Sequence, residues 1–408
     1  MFSPSLYIHI PFCLSKCDYC DFFSIPCGNC DSGYVPDNYI TALINELHYY
    51  RDVYQVDSFR TLYIGGGTPS LLRSDQLKRI LQVVASLSSV APEETTVEMN
   101  PETVSEDLLG IFAEYGSGIR RLSLGIQSLN DSALTYVHRH CTAEKARKAL
   151  DLVKKTWQGE LNLDIIAGLC AQNPVEYMSS LKEILSYESE HVSLYTLTLE
   201  EGTPLYKNLR CGAAWDGDEA DDEWLEGRAE LLLHGYDQYE VSNFAKKGHE
   251  SRHNLRYWKQ DDYIGIGSGA TGTIYSFEEN KNGFRWTDCK DVASYISFWN
   301  SFCDKSLPFP REEELLSLET EEEEFLMMGL RSTFGISAAE YKNRFSPVRP
   351  WQGDLEARLG VRTGAWKRFS ELEGISGGCM IKRCENDYIY SLEGNSLMFL
   401  NTFLKYLT

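Results

Sequence analysis

The sequence predicts an α/β protein: a partial (β/α)6 TIM-like barrel over residues 1–235, followed at the C-terminus by a helical, winged-helix-like domain. Three observations carry that expectation. Six short runs rich in β-branched and aromatic residues alternate with helical stretches, the pattern of parallel strands joined by crossover helices. Polar and glycine residues cluster at the ends of five consecutive runs, as they do where loops converge on the catalytic face of a parallel barrel. Beyond about residue 310 the alternation stops, and helices lead into a hairpin-like run.

The strands are read at Leu6–Ile10, Thr61–Ile64, Thr95–Met99, Arg121–Ile126, Leu161–Ile166 and Val192–Leu197. Helix starts fall between them. Ser74 precedes DQLKRILQVVASL, Ser105 precedes EDLLGIFAEY, and Asn173 offers a cap followed by Pro174 at the first helical position. After the first strand comes a cysteine loop, and after the second the turn Gly65-Gly66-Gly67-Thr68-Pro69. Glu98 and Asn100 mark the third, Gln127 and Ser128 the fourth, and Asp164 lies within the fifth.

Residues 236–310 read as a linking segment, aromatic and glycine-rich and without helical period. In 311–408, Thr320 with Glu323 reads as a capping box, and Glu321–Glu324 as a solvated first turn at the helix's positive end. MIKRCENDYIYSL is expected to form a hairpin and NSLMFLNTFLKYL an amphipathic helix.

The formal net charge of −21 disfavours a phosphate backbone as partner, so nucleic acid is not expected. The opening MFSPSLYIHIPFC has neither the basic residues nor the apolar core of a targeting segment. No stretch is apolar for long enough to span a bilayer, although peripheral contact with a membrane stays compatible with the composition. Twelve scattered cysteines fit reduced thiols in a cytoplasmic location.

Cys13, Cys17 and Cys20 stand in LYIHIPFCLSKCDYCDFFS, three and then two residues apart on one tight loop. Three thiolates can hold a four-iron cluster and leave one iron open to a small molecule. Lys16, Asp18 and Asp21 make the loop polar for a core. A zinc site would want a second knuckle, and none follows at zinc-finger distance. The glycine turn offers close approach of backbone to a ligand.

Together, the cysteine loop with Tyr19 before its last cysteine and the GGGTP turn resemble the radical S-adenosylmethionine superfamily. EMNPET, RLSLGIQS, HRH, NLDIIAGL, HNLRYW and DYIGIGSGA come after them in order. That series resembles the oxygen-independent coproporphyrinogen III oxidase family, and within it the heme chaperone branch, across nearly the whole chain. The resemblance implies that the barrel is a radical SAM core and that Cys13, Cys17 and Cys20 bind a [4Fe-4S] cluster. It implies that Tyr7, Tyr19, Gly66, Gly67, Thr68, Glu98, Gln127, Arg139 and Asp164 surround S-adenosylmethionine. Glu98 and Asp164 can accept from its ammonium and hydroxyls, and Arg139 can pair with its carboxylate. As bland alternatives, Glu98 and Arg139 could form one surface ion pair, Asp164 could cap a turn, and Gln127 could bond backbone. The oxidases carry a fourth cysteine two positions after the third, where this chain has Phe22, and an arm ahead of the first strand. Both departures favour the chaperone branch, which binds heme and hands it to an acceptor protein; the alternative is a radical oxidative decarboxylation of propionate side chains. A radical enzyme on an unrelated substrate is a remote third.

His253-Asn254-Leu255-Arg256-Tyr257-Trp258 matches the branch's HNxxYW motif, which makes His253 the first candidate for contact with heme, against a histidine simply bonded beside aromatic core residues. Cys170 and Thr271 stand where the family usually has proline and often histidine. Cys27 and Cys30 form a further CxxC, read as part of a loop insertion. Gly267-x-Gly269-x-x-Gly272 formally matches a dinucleotide fingerprint, but the run after it, TIYSFEENKNG, is β-branched and then turn-like, so no helix N-terminus is expected to receive a pyrophosphate.

Overall fold

A computed structural model describes residues 2–27, 35–210, 215–277, 281–301, 309–345, 355–356, 358–359, 379–384 and 387–407. Its main sheet has twelve strands, numbered here in chain order. They are β1 (Ser5–Ile10), β2 (Thr61–Gly66), β3 (Glu94–Met99), β4 (Ile119–Gln127), β5 (Glu160–Ala167), β6 (His191–Thr196), β7 (Asp237–Gln238), β8 (Asn243–Ala245), β9 (Tyr263–Ile266), β10 (Thr271–Ile274), β11 (Gly283–Asp288) and β12 (Arg311–Leu316). Their order across the sheet is β12-β11-β10-β9-β1-β2-β3-β4-β5-β6-β8-β7. β1 to β6 run parallel in sequence order, and β9 adds a seventh parallel strand on the far side of β1. The sheet therefore forms an open, partial barrel.

Each barrel strand alternates. Leu6, Ile8, Leu62, Ile64, Val97, Leu122, Leu124, Leu163, Ile165, Val192 and Leu194 are buried in one continuous apolar core. On the other face stand Tyr7, His9, Tyr63, Thr96, Glu98, Ser123, Asn162, Asp164, His191 and Ser193. Parallel strands sandwiched between apolar layers read as continuous hydrophobic runs. Strict alternation here means that the second face surrounds a polar cavity.

Between the strands, the helix caps hold in part. Ser105 accepts from the Leu108 amide, and Asn173 accepts from the Glu176 amide while Glu176 reaches back to the Asn173 amide at 3.0 Å. Ser74 is instead the first helical residue, and the Gln76 side chain accepts from the Arg73 amide.

Residues 236–310 hold more structure than their composition predicts. Arg252–Trp258 is a helix, β9 to β11 join the barrel sheet, and Val292–Asn300 packs on Asp37–Val53. Tertiary contacts override weak periodicity: the Glu94 carboxylate accepts from the Arg252 and His253 amides, and Ser251 accepts from that of Asn254.

Toward the C-terminus, Phe325, Leu330, Ile336, Tyr341, Phe345, Tyr390, Leu392 and Phe403 share a second core. Cys379–Cys384 and Asp387–Leu392 pair as the expected hairpin, and Ile336–Ser337 extends it. The final run is a 3-10 turn, Gly394–Phe399, and then the helix Leu400–Leu407. The acidic run departs from expectation. Ser317, not Thr320, caps the helix Leu318–Leu330, which starts the helix earlier and turns Glu321 and Glu322 inward. Glu321 accepts from the Ser276 and Phe277 amides at 2.7 Å each, and Glu322 pairs with Arg358. Two acids expected in solvent thus latch buried contacts.

Candidate functional site

The cysteine loop is held at both ends. Phe12–Cys13 pairs with Ile25–Pro26, and the Cys20 amide donates to the Cys17 carbonyl at 3.1 Å. Asp18 is buried, yet its carboxylate meets His138 Nδ1 at 2.7 Å and its amide donates to the Val137 carbonyl. Polarity in this loop therefore serves anchoring. Among the described residues no set of three or more His, Cys, Asp or Glu is gathered closely enough to share one metal ion. Burial pushes the Cys13 thiol up, opposed by the Thr68 and Ser24 hydroxyls and then by Arg139, and pushes Cys20 up to about 11. Positive metal is what would draw out the thiolates.

Beneath the loop opens a cavity of about 360 Å³. Cys13, Cys17, Tyr19 and Cys20 line it together with Gly66, Gly67, Thr68, Glu98, Gln127, Arg139 and Asp164. Gly67 lets the loop approach: a Cβ there would stand 3.0 Å from Cys13 Sγ and 2.8 Å from the Phe12 carbonyl oxygen. The Gly66 and Gly67 amides are engaged internally, with Glu98 and with the Ile10 carbonyl. A ligand ammonium would meet carbonyls here. Thr68 accepts from Asn100 at 3.0 Å and points its hydroxyl toward Cys13 Sγ at 3.5 Å.

Glu98 accepts from Tyr63 at 2.7 Å and from the Gly66 amide at 3.0 Å. Burial, with Asp164 nearby, still lifts it to about 7. Burial also raises Asp164, against hydrogen bonds from Ser193, Asn162 and Ser123. Two carboxyls that resist charge in one cavity are matched by a cationic ligand. Arg139 donates to the Gly125 carbonyl, to Asn100 at 3.3 Å and to Tyr19 at 3.4 Å, with Cys17 Sγ at 3.9 Å. Its Nε, Gln127 Oε1 and Thr96 Oγ1 are buried without hydrogen-bond partners among the described residues. Orphaned polar atoms lining one cavity are groups that a polar ligand would satisfy. Gln127 is aimed by strain: it has φ of 67° at an irregularity where β4 slips against β5.

Neither the Glu98–Arg139 surface pair nor a turn-capping Asp164 is present. Tyr7 and His253, however, are not among the lining residues. Tyr7 faces a second hollow outside the loop, with its hydroxyl 2.8 Å from His9 Nδ1. His253 is 1% exposed at the bottom of the barrel. Its Nδ1 meets Thr61 Oγ1 at 2.8 Å and its Nε2 meets Tyr257 Oη at 2.9 Å. Burial lowers its pKa to about 3. Both ring nitrogens are therefore engaged by hydroxyls in this structure. The motif reaches the cavity through Asn254, which lines its floor with Ser251, Arg121 and His191.

Ser123, Asn162, Ser193 and Tyr195 line the cavity without having been singled out from the sequence. Their signal was parity, since Ser123, Asn162 and Ser193 lie on the inward face of their strands with the predicted residues. Cys27 donates its thiol to the Cys13 carbonyl, while Cys30 lies outside the described residues. Cys170 is buried in a small apolar cluster. The glycine string Gly267–Gly272 leads into β10, as expected, and the Gly267 amide donates to the buried Glu46 at 2.9 Å.

Residues 7–184 match the radical SAM superfamily, the class that parallel barrel and three-cysteine loop define. The architecture is similar to that of coproporphyrinogen III oxidase (HemN) from Escherichia coli, with a TM-score of 0.75 over 99% of this chain and 90% of that one, at 20% identity. In sequence the chain is 33% identical over 346 residues to the heme chaperone HemW of Lactococcus lactis, covering 84% of this chain and 85% of that protein. It is 36% identical over 381 residues to the mitochondrial radical S-adenosyl methionine domain-containing protein 1 of Bos taurus, covering 90% and 80%. The chain belongs to the HemN-like radical SAM family, in its HemW branch. Membership implies a [4Fe-4S] cluster and S-adenosylmethionine as cofactors.

Proposed function

We propose that this protein is a heme chaperone: it holds a [4Fe-4S] cluster and S-adenosylmethionine at the barrel mouth, binds heme, and passes it to an acceptor protein. The observation that carries the reading is one cavity in which three loop thiols face two charge-averse carboxyls and a buried, incompletely satisfied guanidinium. Cys13, Cys17 and Cys20 would grip the cluster. Arg139 would pair with the methionine carboxylate, Glu98 and Asp164 would accept from cationic and hydroxyl groups, and Gln127 would supply its orphaned oxygen. Bound there, cluster and sulfonium together supply one-electron chemistry. Phe22 at the position of the oxidases' fourth cysteine, and similarity to proteins named heme chaperones, support transfer over decarboxylation. A reducing, cytoplasmic location goes with this reading, since an exposed iron–sulfur cluster and reduced thiols belong to such a compartment. Among the described residues no helix is long and apolar enough to cross a membrane.

The test is paired. Anaerobically reconstituted protein is given coproporphyrinogen III, S-adenosylmethionine and a reductant, and is separately titrated with heme. A Soret change without protoporphyrinogen is the expected result. Formation of protoporphyrinogen would overturn the chaperone reading, and an unchanged Soret band would overturn heme binding.

A further inference from the structure

We propose that the heme macrocycle seats in a second hollow, of about 340 Å³, on the outer side of the cysteine loop. The inference rests on the heme-binding reading above and names its site. Two regions far apart in sequence converge there: β1 and the cysteine loop after it, with Tyr7, Phe22 and Phe23, and the HNxxYW helix and β9, with Tyr257 and Tyr263. Flat apolar faces suit a conjugated ring. Tyr257 and Tyr263 meet edge to face at 4.8 Å, and Phe23 stacks on His9 at 6.3 Å.

The walls are already ordered. His9 Nε2 bonds the Phe23 carbonyl at 2.9 Å, so its Nδ1 accepts from Tyr7. Thr61 donates to Ser5, so His253 donates to Thr61 through Nδ1 and accepts from Tyr257 through Nε2. The motif histidine thus acts as a positioning residue, fixing a phenol of the hollow. Gly269, at φ of 83°, carries the backbone against Phe23: a Cβ there would stand 2.5 Å from the ring. Preordered walls reduce the entropy lost on binding.

Two rim features select the ligand. Phe22 is 70% exposed, a large apolar side chain left in water at the lip that the hollow shares with the first cavity, so Lys290, which lines the hollow and not that cavity, separates the two. Lys290 is exposed and has no ion-pair partner among the described residues, in a chain of net charge −21. An apolar plane with carboxylates at one edge satisfies both, with the propionates toward Lys290 and away from Asp21, the acidic member of the rim.

Full-length protein with its cluster reconstituted is titrated anaerobically with hemin, followed at the Soret band, as wild type, Phe22→Glu and Lys290→Glu. Both altered side chains are exposed. Iron and sulfide contents should be unchanged, and each variant should bind hemin about tenfold more weakly. Hemin dimethyl ester removes the edge charges, so wild type and Lys290→Glu should bind it alike. Wild-type affinity for hemin in both variants would overturn the hollow while leaving heme binding intact. Failure of the wild type to bind hemin would overturn the heme reading itself. If Phe22→Glu loses iron, Lys290→Glu with the two hemins decides alone.

Discussion

Glu98→Gln separates the stability of the site from its use. In the folded chain the carboxyl sits at about 7, against 4.5 for an ordinary glutamate. The folded state therefore holds its proton to higher pH than the unfolded state, and stability falls as pH rises from 4.5 to 7. At 1.36 kcal/mol per unit the full penalty above pH 7 is roughly 3 kcal/mol. This is a ceiling, because the carboxyl borders an open cavity. The glutamine side chain carries no such penalty, but its amide nitrogen takes the place of one of the two acceptors that serve Tyr63 and Gly66, at about 1 kcal/mol. The variant, cluster-loaded and free of S-adenosylmethionine, should be more stable at pH 8 by about 2 kcal/mol or less. Between pH 5.5 and 8 the difference from wild type should change by roughly 2 kcal/mol. Denaturant unfolding under anaerobic conditions reads it. The same variant should bind S-adenosylmethionine about tenfold more weakly, having lost a charged acceptor. A variant less stable than wild type at both pH values by the same margin would refute the assignment of a desolvated carboxyl.

Three further outcomes are expected. Cys17→Ser should lose the cluster absorbance almost entirely while Cys27→Ser keeps it; a retained [4Fe-4S] spectrum in the first would contradict the loop assignment. His253→Ala should cost about 2 kcal/mol of stability through its two buried bonds, yet leave the Soret maximum of bound heme in place; a shifted maximum would restore the histidine as an iron ligand. Arg121 is 2% exposed and pairs with Glu94 at 3.1 Å and Glu160 at 2.6 Å. Arg121→Met should therefore cost about 3–5 kcal/mol by leaving those acids buried without a cation, and a loss below about 1 kcal/mol would show that water reaches them.

The six barrel strands were legible because each carries its own period: apolar residues at every second position, and a polar or glycine residue where the strand meets the mouth. All six expected runs fall within one or two residues of the observed strands. The cysteine loop and the residues at the strand ends were equally legible, since spacing along one loop is a local property. Harder to read was 236–310, where the helix Arg252–Trp258 is only seven residues long and depends on the carboxylate of Glu94, 158 positions away from Arg252. Glu321 misled for a similar reason: its partners are the amides of Ser276 and Phe277.

Local pattern was therefore sufficient for the strands, their direction and the three-thiol loop, because periodicity, caps and spacing act over a few residues. The surroundings of Tyr7 and His253 came only from the tertiary structure. The Tyr257 hydroxyl beside Nε2 of His253 comes from the same short helix, but the Thr61 hydroxyl beside Nδ1 comes from a strand 192 positions away, and no stretch of chain around residue 253 encodes that neighbour.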